Sequence, residues 1–284
     1  MDIIRISCIL LIGAEHIGQR QNIWPLNFVY PTPIINIGVG GVAVWILIFV
    51  SGASLAISHS TVKVFSNLKG FYIGRLLRIY PAFWISMALP IIIVPAILNK
   101  INWTNIIPVL AGFTAFAGNW GEPINGIYWF IGLIVCLYLL YPFLSKFIDW
   151  NPVAAMVALI LISGFSVLLV THFSTISPFD NNGIRWFPLC NLAFFGAGIF
   201  YIRTGLYPKI TTSSVIIPYL AGLSFFIFLY HYPLLSIADV SLPVYIVILA
   251  GICMVAMYVD DYIHVAIKEG YALISKNFRI WGSR

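Results

Sequence analysis

Charge is what this sequence has least of. Its 284 residues include nine acidic and fifteen basic side chains, 8% in all, against about 25% in a soluble domain. A water-facing surface cannot be built from that supply. With 61% hydrophobic residues and a mean hydropathy of +0.98, the chain belongs in a membrane. It lacks any hydrophilic stretch long enough to fold separately, so one integral-membrane domain over 1–284 is expected. The net charge of +6 does not point to nucleic acid, because the basic residues are scattered between apolar runs or sit near the ends. Membrane topology and anionic lipid account for that distribution. Cysteine is scarce as well. Cys8, Cys136, Cys190 and Cys253 all fall in apolar runs without metal-ligand spacing, so they read as buried thiols and no metal is expected. No small-residue cleavage site follows the first apolar run, and no internal repeat is visible.

What is present is a series of apolar runs. A membrane-crossing helix needs about 20 apolar residues. Runs at approximately 3–18, 35–58, 79–98, 104–118, 127–147, 152–171, 185–202, 212–236 and 242–264 predict an all-α, polytopic transmembrane helix bundle of about nine to ten spans. The stretch Gly118–Gly126 is dense in turn formers and reads as a loop. Lys63, Lys69, Arg75 and Arg78 form the richest basic cluster, which places that segment and the amino terminus in the cytoplasm. The basic tail, with Lys268, Lys276, Arg279 and Arg284, favours the same side, but an odd number of spans would put it on the other.

Lipid tolerates ionisable groups only where they face protein or water, so charged residues inside a span are functional candidates. In the first run Arg5 and His16, the latter preceded by Glu15, stand eleven positions apart. At about 100° and about 1.5 Å per residue, both fall on one helical face, roughly 16 Å apart. A neutral imidazole suits proton abstraction from a hydroxyl near neutral pH. The bland reading of His16 is a polar residue at a helix end among headgroups.

Other segments carry a bland and a sharp reading side by side. Gly38, Gly40, Gly41 and Gly52 permit close helix packing or present backbone. Arg75 and Arg78 are neighbours on a helical face, read as topogenic charges or as a paired guanidinium site for phosphate. Trp129 opens a span whose aromatics fit a membrane-interface belt. His231 sits in a late apolar run, as an interhelical hydrogen bonder or as a site residue.

In this order, these segments resemble the integral-membrane acyltransferase 3 family. Asp2-Ile-Ile-Arg5 with His16 matches the family's first-span pattern, an arginine followed by ten residues and a histidine. Gly40-Gly-Val and Phe49-Val-Ser-Gly52 resemble its second span, and Arg75, Arg78, Ile79, Pro81 and Trp84 match its R-x-x-R-I-x-P-x-x-W segment. Trp129, Phe130, Tyr138, Leu139, Leu140 and Pro142 correspond to a further span. Ser224, Ile227, Leu229, His231, Pro233 and Leu234 correspond to a late one. The match runs from Asp2 to about residue 240. There are departures: Phe225 and Phe228 replace usual tyrosines, Ala43-Val44-Trp45 replaces a region with a polar residue, and the Trp129–Tyr138 span lacks an acidic residue.

The resemblance implies O-acyl transfer, most often of acetyl from cytoplasmic acetyl-CoA to a hydroxyl of a cell-surface or exported polysaccharide or its lipid-linked precursor. His16 is then the base or acyl relay, with Arg5 as its catalytic partner. Arg75 and Arg78 contact the donor, and His231 and Trp129 are further substrate contacts. His231, or backbone amides near Gly40 and Gly41, are candidate oxyanion donors. The expected partners are acetyl-CoA as co-substrate, a glycan acceptor, the lipid bilayer of the inner or plasma membrane, and polysaccharide-assembly proteins. The competing class is a proton-coupled transporter without covalent chemistry, against which the missing repeat counts.

Overall fold

The computed structural model describes residues 1–30, 37–93, 99, 103–113, 126–173, 183–207 and 216–281. The loop at 118–126, apart from Gly126, lies outside the described residues, as do the side chains of the tail's basic residues.

The first helix, α1 (Asp2–Gln21), ends at Asn22, whose left-handed backbone and N–H to the Gly18 carbonyl close the last turn. Asparagine tolerates that conformation better than most residues. The chain folds back so tightly that Leu26 occupies the space where a Gly18 side chain would be. A short antiparallel pair, β1 (Val29–Tyr30) with β2 (Ile37–Gly38), then delivers the chain to α2 (Val39–Ser58). After α3 (Thr61–Ser66), Asn67 accepts the Gly70 N–H and opens α4 (Leu68–Ile93). This helix starts at Leu68 rather than at 79 and runs through Pro81, and it carries Arg75 and Arg78 on its first turns, as their helical spacing suggested.

Among the described residues of the run at 104–118, 104–113, the α-helix is α5 (Ile106–Leu110), fixed to α4 by Tyr80 and Trp84 donating to the Ala111 and Leu110 carbonyls. There follow α6 (Trp129–Trp150), α7 (Pro152–His172), α8 (Gly183–Trp186), a 3-10 turn at Pro188–Asn191 leading into α9 (Leu192–Arg203), α10 (Ile216–Tyr230), α11 (Leu235–Ala238) and α12 (Leu242–Trp281).

The protein is an all-α membrane bundle. Among the described residues, five helices are long and apolar enough to cross a membrane: Val39–Ser58, Leu68–Ile92, Trp129–Trp150, Pro152–His172 and Leu242–Ile267. The apolar segments Pro188–Arg203 and Ile216–Tyr230 are shorter. Nine to ten spans are not reached among the described residues. Val153, Ile160, Leu161, Phe165 and Leu168 on α7 point outward and exposed, as a lipid-facing surface requires.

Contacts set the helix directions. Arg5 meets Ser54 while Glu15 meets Gly40, so α1 and α2 are antiparallel. Tyr72 bonds the Leu139 carbonyl while Phe83 packs on Tyr128, which makes α4 and α6 antiparallel too. Ser163 bonds the Leu189 carbonyl on the path from α7 to α9. Trp45 stacks on Phe194 and Arg203 reaches the His59 carbonyl, so α2 and α9 run parallel. The amino-terminal ends of α1 and α4 and the carboxyl-terminal ends of α2, α6 and α9 therefore share one end of the bundle.

Lipid is as apolar as leucine, so packing rather than water exclusion holds membrane helices together. The tightest contact lies between α2 and α9, where added methyls at Gly198 and Gly52 would strike the carbonyl oxygens of Phe49 and Phe195. Backbone cannot move aside cheaply. Gly198→Val is expected to lower the thermal midpoint in detergent, by the equivalent of about 1–3 kcal/mol or more. Gly164→Val, at an exposed glycine on α7 with open space around it, is expected to melt like wild type in the same scanning measurement.

Candidate active site

The carboxyl-terminal part of α1 carries Glu15 and His16. Glu15 is buried, at 8% exposure. A buried carboxylate is stable only with partners, and this one has three kinds. The N–H of Gly40, in the first turn of α2, donates to one oxygen, and the Gln19 amide donates to the other at 2.8 Å. The Arg185 guanidinium on α8 supplies an opposite charge within electrostatic reach. The first turn of α2 has unsatisfied N–H groups and a positive dipole end, and Gly38 at its cap offers no side-chain acceptor. Glu15 caps it from the neighbouring helix. A β-carbon at Gly38 would lie about 2.5–2.7 Å from the carboxylate, which explains why glycine stands there.

Anchoring Glu15 places the next residue. The half-buried His16 ring lies 5.3 Å from the His231 ring and meets Tyr232 edge-on at 5.3 Å. His231 follows the last residue of α10, and Pro233 prevents the helix from continuing. Its Nδ1 lies 2.8 Å from the Phe228 carbonyl oxygen and 3.1 Å from that of Ile227. Carbonyls only accept, so Nδ1 carries the proton and Nε2 a lone pair. His231 is 1% exposed, and among the described residues Nε2 has no hydrogen-bond partner. Arg185 also exerts its charge on His16. Arg20 grips both oxygens of Asp239, at 2.6–2.8 Å, and holds that carboxyl below its usual range. Gln21 donates to the Ala238 carbonyl. Together they tie the end of α1 to α11, just beyond His231.

A second polar cluster lies at the opposite end of the bundle. Arg5 bonds Asp2 at 2.9 Å and Ser54 at 3.0 Å. Arg203 donates to the His59 carbonyl and Ser145 and pairs with Asp149 at 3.3 Å. Arg75 is half-buried with its Nε unpartnered, and Arg78 is exposed. Burial, and then the facing Arg75 charge, pull the His59 imidazole below its ordinary value. Apolar side chains of α1 and α2, Cys8, Ile9, Ile12, Ala43 and Leu47, fill the length between the two clusters.

A family model described as an acyltransferase domain, Acyl_transf_3, matches residues 1–260. The chain belongs to the acyltransferase 3 family. No curated protein and no solved structure matches it. It is a membrane acyltransferase.

The structure brings His16 and His231 together, which nothing in their separation of 215 positions announces. Trp129 opens α6 at the same end. Its ring packs edge-on against Phe130, Phe130 against Phe228, and Phe228 against His231. Arg5 and Arg75 belong to the other end, and Arg5 is separated from His16 by about 16 Å of helix. The Gly40 N–H, a candidate oxyanion donor from sequence, is occupied by Glu15. The His231 donor is occupied by its own helix. Sequence reasoning gave no role to Glu15, Tyr232, Arg185, Arg203 or His59. Of these, Glu15 had one signal, a carboxylate inside an apolar run. Arg185 heads an apolar run and looks topogenic.

Removing the Glu15 carboxylate strands the α2 amides. Glu15→Ala is expected to destabilise the acyltransferase by about 1–3 kcal/mol, the cost of leaving a buried donor unsatisfied. Glu15→Gln keeps an acceptor for Gly40 and is expected to lose less. Thermal unfolding of the two purified variants checks the order.

Proposed function

We propose that this acyltransferase moves acetyl from cytoplasmic acetyl-CoA to a hydroxyl of a cell-surface or exported polysaccharide, or of its lipid-linked precursor. The observation that carries the reading is the placement of cations at one end of α1 and a histidine pair at the other, with apolar protein between. Acetyl-CoA is polyanionic at its nucleotide end and slender at its thioester end. Arg75, Arg78 and Arg5 meet the phosphates, with guanidinium forks suited to phosphate oxygens. The pantetheine arm lies among the helices, and the thioester reaches His16, which acts as general base or acyl relay. Arg185, whose charge faces His16, meets the negative charge that develops on the thioester oxygen. Trp129 and the aromatic rings around His231 border the acceptor hydroxyl.

In this reading the cation end is cytoplasmic, in an inner or plasma membrane. All eight long elements, α1, α2, α4, α6, α7, the segment 188–203, α10 and α12, cross the membrane in alternating directions. An even number returns the basic tail to the side of the amino terminus, as its charge favours.

Radiolabelled acetyl-CoA and protein in nanodiscs test the reaction class. Wild type is expected to release CoA, and His16→Ala to lose at least about a hundredfold in rate, the lower range for removal of a general base. Arg75→Ala is expected to raise the KM for acetyl-CoA while leaving kcat within about twofold, since it removes binding remote from the chemistry. Near-wild-type turnover by well-folded His16→Ala would overturn the assignment.

A further inference from the structure

One imidazole cannot carry an acyl group and at the same moment take the proton of the attacking hydroxyl. The site holds two. His231 is fixed in a single tautomer by two carbonyls, with its Nε2 lone pair buried and unpartnered, 5.3 Å ring to ring from His16. An orphaned buried nitrogen is costly to maintain. Its lone pair can only accept, so His231 is not an oxyanion donor but a base. The fixation arises from the fold: Pro233 ends α10, and carbonyls near a helix end have spare acceptor capacity, so the Nδ1–H of His231 meets the Phe228 carbonyl and shares that of Ile227 with the His231 backbone N–H.

We propose that His16 carries the acyl group and His231 takes the proton of the acceptor hydroxyl, an assignment that rests on the acyltransferase reading above. In the first step an unprotonated ring nitrogen of His16 attacks the thioester carbonyl. The C–N bond forms, the C–S bond breaks, and CoA leaves as thiolate. In the second step the acceptor oxygen attacks the acyl carbon, and the C–N bond breaks with its electron pair returning to His16. The hydroxyl proton passes to Nε2 of His231. The resulting imidazolium then gives its proton, through solvent, to the CoA thiolate, so acetyl-CoA and an alcohol become an ester and CoA. Arg185 is a charged group acting on the acylated ring, and Glu15 acts in turn on Arg185.

His231→Asn separates the two steps, because an amide keeps a donor near the Ile227 and Phe228 carbonyls while deleting Nε2. Nanodisc protein is mixed with labelled acetyl-CoA and quenched at intervals, with water as the hydroxyl acceptor. Hydroxylamine serves as the acceptor that needs no base. Wild type is expected to show a CoA burst with label on the protein, and His16→Ala neither. His231→Asn is expected to keep the burst within about twofold, lose label to water at least about a hundredfold more slowly, and be discharged by hydroxylamine at the wild-type rate.

Discharge by water at the wild-type rate would overturn the role of His231, and so would a folded His231→Asn that never acquires label. CoA release by wild type without any protein-bound label would overturn the inference while leaving the acyltransferase reading intact. No CoA release at all would overturn that reading. If His231→Asn fails to fold, nitrogen NMR of histidine-labelled wild type decides. It is expected to find His231 protonated at Nδ1 and bare at Nε2, and a ring protonated at Nε2 would overturn the proposal.

Discussion

The structure depends on a carboxylate. Glu15 is a buried anion in an apolar helix, and burial of a charge is tolerable only where partners compensate it. The compensation comes from the amide-rich end of α2 at Gly40, the amide of Gln19 and the charge of Arg185. One residue thereby joins α1, α2 and α8 at a single point. It also dictates the glycine at 38, since the carboxylate fills the space of a side chain there. Because His16 is the next residue on the same helix, anchoring Glu15 aims the imidazole. The clasp of Arg20 on Asp239 and of Gln21 on the Ala238 carbonyl holds the turn carrying His231 to the same helix end.

Every charge on α1 is matched: Asp2 with Arg5, Arg5 with Ser54, Glu15 with the α2 amides, Arg20 with Asp239. That is why a helix with four charged residues can sit among apolar neighbours. The result is polarity concentrated at two ends and excluded from the middle. An enzyme that uses a charged donor and protects a reactive acyl group from water needs that division. In the proposed reaction the cation end takes the donor's phosphates, while the histidine end lies in a drier place where fixed charges act more strongly.

Composition made the bundle legible, and the order of short motifs made the family legible. The shortage of charge left no soluble alternative, and nearly every apolar run became a helix. Misreadings had local causes. Hydropathy marked 79 as the start of α4 because Lys69, Arg75 and Arg78 precede it, yet Asn67 caps the helix and lysine and arginine are good helix formers. In the apolar run at 104–118, the described residues form the short helix α5, docked on Tyr80 and Trp84. Within the site, His16 and Arg5 were visible through their shared face, but helix phase cannot say which cation faces the imidazole. Arg185 does, from a segment whose sequence looks topogenic. The tautomer of His231 depends on carbonyls exposed at a helix end, which periodicity does not reveal.

The central claim of the proposed function is that the donor's phosphates and the acceptor hydroxyl are bound at opposite ends of one bundle. Proteoliposomes with a known orientation, given labelled acetyl-CoA on one face only, test it directly. The account predicts CoA release when the donor is supplied to the face that carries Arg5, Arg75 and Arg78, and none when it is supplied to the other. Equal use of donor from both faces, or use only from the face nearer His16 and His231, would contradict it.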